Sequence, residues 1–394
     1  MKKKIAFALA AVIALSTLAA CESSVVTGFA KASVSDAEYQ NLHTEATITL
    51  TTSNKDEWYS LDALVNDSVS SFMNEMFTGK TSDALPKNVN LKVDLVAENY
   101  GNVSHVQAFV YKNATDKDEL IDVYYNAAKQ TVYFGSAIFN KVVDSGIGYL
   151  TPDVDLTVTK PYIVFTDKDE LPSSTAVTEL ADQTIKYGEL VQSVATLLAK
   201  KGATSFAKYD SLLKYDSDTR TYTVSSDTKT LISFILDSAK LVKSNQNGVW
   251  NAYAKVFPKE ATAKEKEYFI ADLDETIKDL TALKASASSL PTGSVTYTLR
   301  ASGAGEQFSK KTTEKISFTK AQLKKVDDLK GTEFADYATY LKSLDKLELT
   351  STSTVKLQLK EISLPSKSKC INVNEIYEKV FPSAPVTTPT AKSA

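Results

Sequence analysis

The residue types that most often carry catalytic or metal chemistry are sparse in this sequence. It contains two histidines, His43 and His105, and each lies alone in a segment with strand-like alternation. Metal centres usually require clusters of His, Cys and carboxylate side chains. No glycine-rich phosphate loop, nucleophile elbow or dinucleotide-binding fingerprint occurs in the sequence. We therefore predict no metal site, no cofactor and no catalytic residue of these classes.

Closely spaced carboxylates are the remaining candidates for acid–base chemistry or calcium binding. The pairs are Asp167 with Asp169, Asp216 with Asp218, and Asp272 with Asp274. The Asp216 pair lacks the glycine and the terminal glutamate of an EF-hand loop. We expect solvated turns and helix faces at these positions, which favours a non-enzymatic protein. A cell-wall hydrolase that brings two distant carboxylates together stays open.

The first twenty-one residues have the pattern of an export signal. Residues 2–4 are lysines, and residues 5–15 are apolar but too few to span a bilayer as a permanent helix. The segment ends in Leu18-Ala19-Ala20-Cys21, where small residues precede a cysteine. Residues 1–20 are therefore predicted to be a signal peptide.

The four residues Leu18-Ala19-Ala20-Cys21 resemble the lipobox of bacterial lipoproteins. This resemblance implies cleavage before Cys21 and acylation of its thiol, with palmitate among the attached acyl chains. Two or more acyl chains give stable membrane attachment, where a single chain gives only marginal binding. We expect a lipid-anchored, extracytoplasmic protein of the bacterial cell envelope, at the outer membrane or the cell surface. Residues 21–39 are predicted to be a lipidated tether, flexible because they are small and polar.

Cys370 is the second and last cysteine of the chain. If Cys21 carries lipid, Cys370 has no partner for an intramolecular disulfide. A lone cysteine before an apolar residue is typical of a small buried side chain. A nucleophilic or redox role, which would need a group nearby that lowers the thiol pKa, is the alternative.

The charge pattern argues against a nucleic-acid partner. The net charge is −3, and Arg220 and Arg300 are the two arginines of the chain. No basic block or alternation of basic and aromatic residues is present to follow a phosphate backbone. No second apolar run approaches the length of a membrane span.

Hydrophobic periodicity predicts strands at both ends of the chain and helices in the middle. A strand at 45–52 and an amphipathic helix at 58–77 precede strands at 90–98, 103–112, 120–126 and 131–135, whose short links indicate an antiparallel meander. Helices are predicted at 173–201, 227–243, 249–257 and 262–285. Further strands follow at 294–301, 307–318 and 346–364, and a last helix at 373–381.

These elements define the predicted fold class and organisation. The class is α+β, with a curved antiparallel β-sheet, a possible half-barrel, packed with helices from a largely helical middle segment. The predicted parts are a β-rich part with the amphipathic helix at 40–170, a mainly helical part at 171–290, a β-rich part at 291–381 and a disordered tail at 382–394.

The order of elements resembles the half-barrels of LolA- and LppX-type envelope proteins, which carry lipids or lipoproteins. This resemblance implies a non-enzymatic protein that binds a hydrophobic ligand between the sheet and the helices. Flexible methionines and apolar side chains on the amphipathic helix would line that cavity. The candidate residues are Leu61, Val65, Val69, Phe72, Met73 and Met76. The same pattern is also typical of a helix that packs in an ordinary core.

A surface-exposed scaffold that binds glycans or proteins is the alternative function. Its contacts would come from aromatic side chains, which are frequent in such interfaces. The candidates are Trp58, Tyr59, Tyr100, Tyr111, Tyr124 and Tyr125.

Overall fold

A computed structural model of the chain describes most of the body of the protein. The described residues are 23–33, 35–55, 57–66, 89–144, 156–166, 186, 189–190, 193–194, 197–198, 207–285, 292–324 and 335–380. Part of the predicted helix at 58–77 and most of the one at 173–201 lie outside this set.

The described residues form one twelve-stranded sheet that is curved and does not close. Its strands are β1 (Leu42–Thr51), β2 (Asn90–Tyr100), β3 (Val103–Tyr111), β4 (Lys117–Asn126), β5 (Thr131–Gly135), β6 (Tyr162–Phe165), β7 (Leu213–Asp216), β8 (Thr221–Asp227), β9 (Ser294–Ser302), β10 (Ser309–Thr319), β11 (Lys346–Leu357) and β12 (Cys370–Asn372). They lie in the order β12-β6-β5-β4-β3-β2-β1-β11-β10-β9-β8-β7. Strands β1–β6 and strands β7–β11 therefore join through the pair β1–β11, and β12 adds to the edge strand β6.

Helices accompany the sheet along the whole described chain. They are α1 (Ser23–Ser33), α2 (Ser136–Asp144), α3 (Thr228–Ser244), α4 (Gln246–Val256), α5 (Ala263–Ala285), α6 (Lys320–Leu323), α7 (Ala335–Ser343) and α8 (Val373–Val380), and residues 61–66 are helical as well. Asp227 starts α3 because its carboxylate accepts a hydrogen bond from the backbone N–H of Thr230. The predicted α+β class is confirmed.

The predicted strands at 90–98, 103–112, 120–126 and 131–135 form the expected antiparallel meander β2–β5. The sheet is not wholly antiparallel, because β12 pairs with β6 in parallel. β12 is only three residues long and is not predicted by the periodicity, which needs a longer run to be visible. The last predicted strand, 346–364, ends at Leu357 in β11.

The two faces of the sheet differ in character because side chains alternate along each strand. On one face, which we call the threonine face, five threonines lie directly opposite one another on adjacent strands. The row is Thr47, Thr352, Thr313, Thr298 and Thr223. β-branched threonine suits a pleated and partly solvated surface, so this row explains why these polar segments form strands.

The opposite face carries the helices, and we call it the helix-bearing face. At one end, Leu61 and Val65 pack with Val110 of β3 and with partly buried side chains of β2, β4 and α2. At the other end, Phe29 of α1 and Phe234 of α3 pack with Val224 and Leu299 of β8 and β9. Helices α3, α4 and α5 bury a further apolar cluster among themselves. The core is thus divided between two ends of one sheet face.

The predicted flexible tether is wrong for residues 23–33, which form α1. Val25, Phe29 and Ala32 recur at helical spacing and pack on the core, and Phe29 is 1% exposed. The Phe29 ring contacts Tyr222 and Tyr297 edge-on, with centroid distances of 5.6 and 6.1 Å. Tertiary packing therefore orders a segment whose composition alone indicates a linker.

Replacing Phe29 by Ala tests whether this contact holds α1 on the sheet. Truncation of a buried Phe typically costs about 3 to 5 kcal/mol, so we expect α1 to detach. Hydrogen exchange of amides 23–33 should accelerate strongly in F29A, whereas amides of β3 and β4 keep their protection. The exposed Tyr268→Ala serves as a control. Unchanged protection of α1 in F29A would show that other contacts hold the helix.

Candidate functional site

An apolar stripe crosses the centre of the helix-bearing face between the two ends of the core. Ile48 of β1, Leu349 of β11 and Ile316 of β10 are 44%, 40% and 36% exposed. Leu349 pairs with Leu50 on one side and with Ile316 on the other. Ile48 is two residues from Leu50 on the same strand, so all four side chains share one face. Contiguous apolar side chains exposed in this way often mark a binding surface.

The stripe is continuous with the core on its β2 side. Leu91 pairs with Leu50, and Val93 pairs with Ile48. Leu91 and Val93 both pack against the cluster of Leu61, Val65 and Val110. An apolar surface therefore continues from the end of the sheet covered by the helix with Leu61 to the partly exposed side chains Ile48 and Leu349 at its centre.

Along β10 the stripe meets a polar boundary. Glu314 follows the same face of β10, is exposed, and lies opposite Ser351 of β11 and Tyr297 of β9. Burial, together with the charges of Glu314 and Asp36, raises the pKa of Tyr297 to about 12. The tyrosine is therefore neutral at physiological pH, and Glu314 is the charged group beside the stripe.

The structure places two of the six predicted cavity residues. Leu61 is fully buried and Val65 is 6% exposed, in direct contact with Val110. The two side chains belong to the buried cluster beside the stripe. Leu91 and Val93, which pack against this cluster, connect it to the stripe. Val69, Phe72, Met73 and Met76 lie outside the described residues, as does the lipidation candidate Cys21.

The stripe residues themselves are missed by the sequence reasoning. The alternation of residues 45–52 places Ile48 and Leu50 on one side, but it is read as an ordinary buried face. The pairing of β1 with β11 shows that Ile48 and Leu349 are diagonal neighbours on one face, and both are partly exposed.

A chain of acidic and basic side chains crosses the threonine face at the other end of β1. His105 Nε2 lies 2.9 Å from Asp122 Oδ1, and His105 Nδ1 lies 3.2 Å from Glu98 Oε2. His43 Nδ1 lies 2.9 Å from the second Glu98 oxygen, and its Nε2 lies 3.1 Å from Glu45. The expectation that each histidine stands alone is wrong, because strand register places both beside Glu98.

The geometry around His105 favours its protonated form. Both ring nitrogens face carboxylate oxygens, and only the imidazolium can donate to both. Burial acts to lower the pKa of His105, but the hydrogen bonds and charges of Asp122 and Glu98 outweigh it and raise the pKa. Burial acts to raise the pKa of Glu98, yet the two histidines lower it overall. The ring of His105 also stacks on Tyr124 at 3.8 Å.

Because Gly135 of β5 has no side chain, there is room for a hydrogen bond between side chains of β6 and β4. The Tyr162 hydroxyl of β6 donates to Asp122 Oδ2 over 2.8 Å, and Gly135 pairs with Tyr162. A Cβ at Gly135 would lie 3.1 Å from Asp122 and 3.3 Å from Glu119 Oε1. Burial and the nearby Asp122 charge raise the pKa of Glu119. The chain thus ties β1, β2, β3, β4 and β6 together.

The polar groups of this chain of side chains are hydrogen-bonded to one another. Both nitrogens of His105 are occupied, and the Tyr162 hydroxyl is held by Asp122 with its pKa raised, first by burial and then by that carboxylate. Among the described residues, no group of three His, Cys, Asp or Glu side chains is arranged to hold a metal ion. We infer that this chain of acidic and basic side chains stabilises the sheet.

Two of the other carboxylate candidates, Asp216 and Asp274, have structural partners. Asp216 Oδ1 accepts from the backbone N–H groups of Asp218 and Thr219 in the β7–β8 turn, and these bonds lower its pKa. Asp274 pairs with Lys243 over 2.7 Å. Asp167 and Asp169 lie outside the described residues.

Cys370 is partly exposed on the edge strand β12 rather than buried. Its thiol donates to the carbonyl of Ser366 over 3.2 Å. Burial raises the pKa of this thiol more than the charge of Lys160 lowers it. A raised pKa opposes a nucleophilic role, which needs the thiolate.

Several aromatic side chains proposed for a binding patch have occupied ring faces. Lys92 Nζ lies 3.7 Å from the ring centre of Tyr111, and Lys117 lies 5.7 Å from it. Tyr124 is stacked on His105. These faces are less available for stacking on a sugar than open rings would be.

No protein-family model matches the chain, and neither a curated protein nor a solved structure is significantly similar to it. Within the described residues, no helix is both long and apolar enough to cross a membrane.

His105→Gln tests the charged chain through the pH dependence of stability. A raised folded-state pKa gives stability that is complete below about 6.5 and is lost as pH rises through the raised value. The lowered pKa of Glu98 gives stability that is complete above about 4.5 and is lost as pH falls through the lowered value. We therefore expect the free energy of unfolding to decline as the pH rises above about 6.5 and passes through the raised pKa of His105.

In H105Q the free energy of unfolding at about pH 6 should fall by about 1 to 3 kcal/mol, because Asp122 loses a buried partner. The difference from the wild type should shrink at high pH. Urea unfolding at a series of pH values measures both effects, with Tyr268→Ala as the exposed control. Parallel pH profiles for H105Q and wild type would contradict the assignment.

Proposed function

We propose that this protein is a lipid-anchored envelope lipoprotein that binds a hydrophobic ligand on the helix-bearing face of its sheet. The observation that carries the proposal is the exposed stripe of Ile48, Leu349 and Ile316 between two helix-covered ends of the sheet. Exposed apolar side chains at the centre of a curved sheet are costly in water, and a ligand that covers them removes that cost.

The shape of the sheet supports the same proposal. A curved, unclosed sheet with helices packed on one face agrees with the half-barrel that the resemblance to LolA- and LppX-type proteins implies. In such an arrangement the ligand lies between the sheet and the helices. We propose that the stripe is part of that cavity and that Leu61 and Val65 support one of its walls.

The chemistry of the stripe favours an acyl chain as the ligand, whether it belongs to a free lipid or to a lipoprotein. Leu91, Leu50, Leu349, Ile316 and Val295 form one row across five strands. Neighbouring strands lie about 4.8 Å apart, so the row is roughly 19 Å long. Each methylene group buried on this row contributes about 0.8 kcal/mol, so several methylenes suffice for binding.

The first test replaces two exposed stripe residues, Ile48→Asn together with Leu349→Asn. Because Ile48 and Leu349 are already 44% and 40% exposed, the free energy of unfolding should fall by no more than about 1 kcal/mol. Affinity for a fluorescent fatty acid, NBD-labelled dodecanoate, should fall about tenfold or more, and co-purified lipid in native mass spectra should decrease. Fluorescence titration measures the affinity.

The matched control is Leu359→Asn, which removes an apolar side chain that is 60% exposed and lies after the end of β11. This variant should keep wild-type affinity. Equal affinity in the stripe variant and the control would contradict binding at the stripe and would favour the scaffold function.

The anchor has a separate test. Cys21→Ser removes the thiol that the lipobox resemblance makes the acylation site, so incorporation of labelled palmitate should stop. The variant should also leave the membrane fraction. Palmitate incorporation that persists in C21S would contradict the lipoprotein assignment without bearing on the stripe.

A further inference from the structure

The path of α1 across the sheet fixes where the chain leaves the folded body. At the C-terminal end of α1, the carbonyl of Ser33 accepts a hydrogen bond from Lys310 of β10 over 2.6 Å. Further towards the N-terminus, Phe29 contacts Tyr297 of β9 and Tyr222 of β8. Gly28 lies so close to the Tyr222 hydroxyl that a Cβ would collide with it. The helix therefore runs from β10 towards β7, the terminal strand of the sheet.

Chain length then limits the distance between this edge and the proposed anchor. Ser23, the first residue of α1, is two residues after Cys21. Two residues span at most about 7 Å even when fully extended. Because α1 is packed on the sheet through Phe29, no long linker separates the acylated cysteine from the folded body.

We propose that the β7 edge of the sheet lies against the bilayer that holds the acyl chains of Cys21, with Tyr215 at the membrane–water interface. This inference rests on the lipid anchor of the proposed function. A flexible tether at residues 21–39 would hold the folded body away from the membrane, whereas here the folded body rests on the membrane surface.

The residues of β7 suit this position. Lys214, Tyr215 and Asp216 are all exposed, and Tyr215 is 42% exposed with its ring 4.5 Å from that of Tyr222. Tyrosine favours the headgroup region because its ring is apolar and its hydroxyl is polar, and lysine extends its ammonium group to the same level.

The charges of the β7–β8 hairpin predict which lipids it contacts. Lys214 and Arg220 are outnumbered by Asp216, Asp218 and Asp227 in the same hairpin, whose net charge is −1. A hairpin without excess positive charge gains nothing from anionic headgroups, so contact with the bilayer depends on Tyr215 and on the anchor. The partner is therefore a zwitterionic bilayer surface, and the contact should change little with salt.

The arrangement also sets the height of the ligand stripe above the membrane. Ile316 of β10 is three strands from β7, and Ile48 of β1 is five strands from it. At about 4.8 Å a strand, the stripe lies roughly 14 to 24 Å from the edge along the curved sheet. The stripe is therefore outside the headgroup layer, where a carrier site must be to release or take up a ligand through water.

Quenching by brominated lipids tests the contact in the full lipidated chain. Trp58→Phe and Trp250→Phe remove the native tryptophans, and Tyr215→Trp adds a reporter at the edge. In phosphatidylcholine vesicles with brominated acyl chains, the fluorescence of this reporter should fall by half or more. The matched control is Leu359→Trp, which lies beside β11, four strands from β7, and should lose little fluorescence.

Two further measurements keep the outcomes separate. Palmitate incorporation in the reporter protein reports on the anchor, so a lipidated protein whose edge reporter stays unquenched would overturn the contact but leave the proposed function standing. Hydrogen exchange of the otherwise wild-type chain needs no reporter: amides 213–216 should be slower in vesicles than in soluble C21S. Equal exchange rates in the two forms would also overturn the contact.

Discussion

The pairing of β1 with β11 is the constraint on which the rest of the structure depends. Ten residue pairs, from Leu42 with Leu357 to Thr51 with Glu348, join the two ends of the chain into one sheet. A slip of one residue would turn the threonines of β1 towards the helices and Ile48 towards the threonine face. The stripe exists only in this register, because Leu349 belongs to β11 and Ile48 and Leu50 belong to β1.

Local patterns predict much of this fold because alternation and capping are visible within a few residues. The meander β2–β5 and the start of α3 at Asp227 follow from such signals. Leu61 and Val65 are correctly predicted as the apolar side of a helix. Their role in a cavity remains a proposal, because periodicity identifies a face without showing what covers it.

The rest depends on contacts between residues that are distant in sequence. His43 and His105 look isolated until β2 places Glu98 between them. The α1 segment looks like a linker because a few apolar residues in a stretch of small and polar residues are a weak signal. The surface that orders it comes from residues distant in sequence, among them Tyr222, Tyr297 and Phe234. Exposure of Ile48 likewise depends on which helices reach the centre of the sheet, and no local pattern contains that information.

The distribution of contacts over the two faces explains how an apolar stripe can stay open. On the threonine face, the hydrogen-bonded chain of side chains from Glu45 to Tyr162 ties strands β1 to β4 and β6 together. On the opposite face, α1 and α3 cover one end of the sheet, and the helix containing Leu61 covers the other. The strand pairs of β1, β11 and β10 hold the centre together, so the stripe side chains need not be buried for the sheet to persist. An apolar surface that is held rigid without being covered is already organised for a ligand, and binding then costs little conformational entropy.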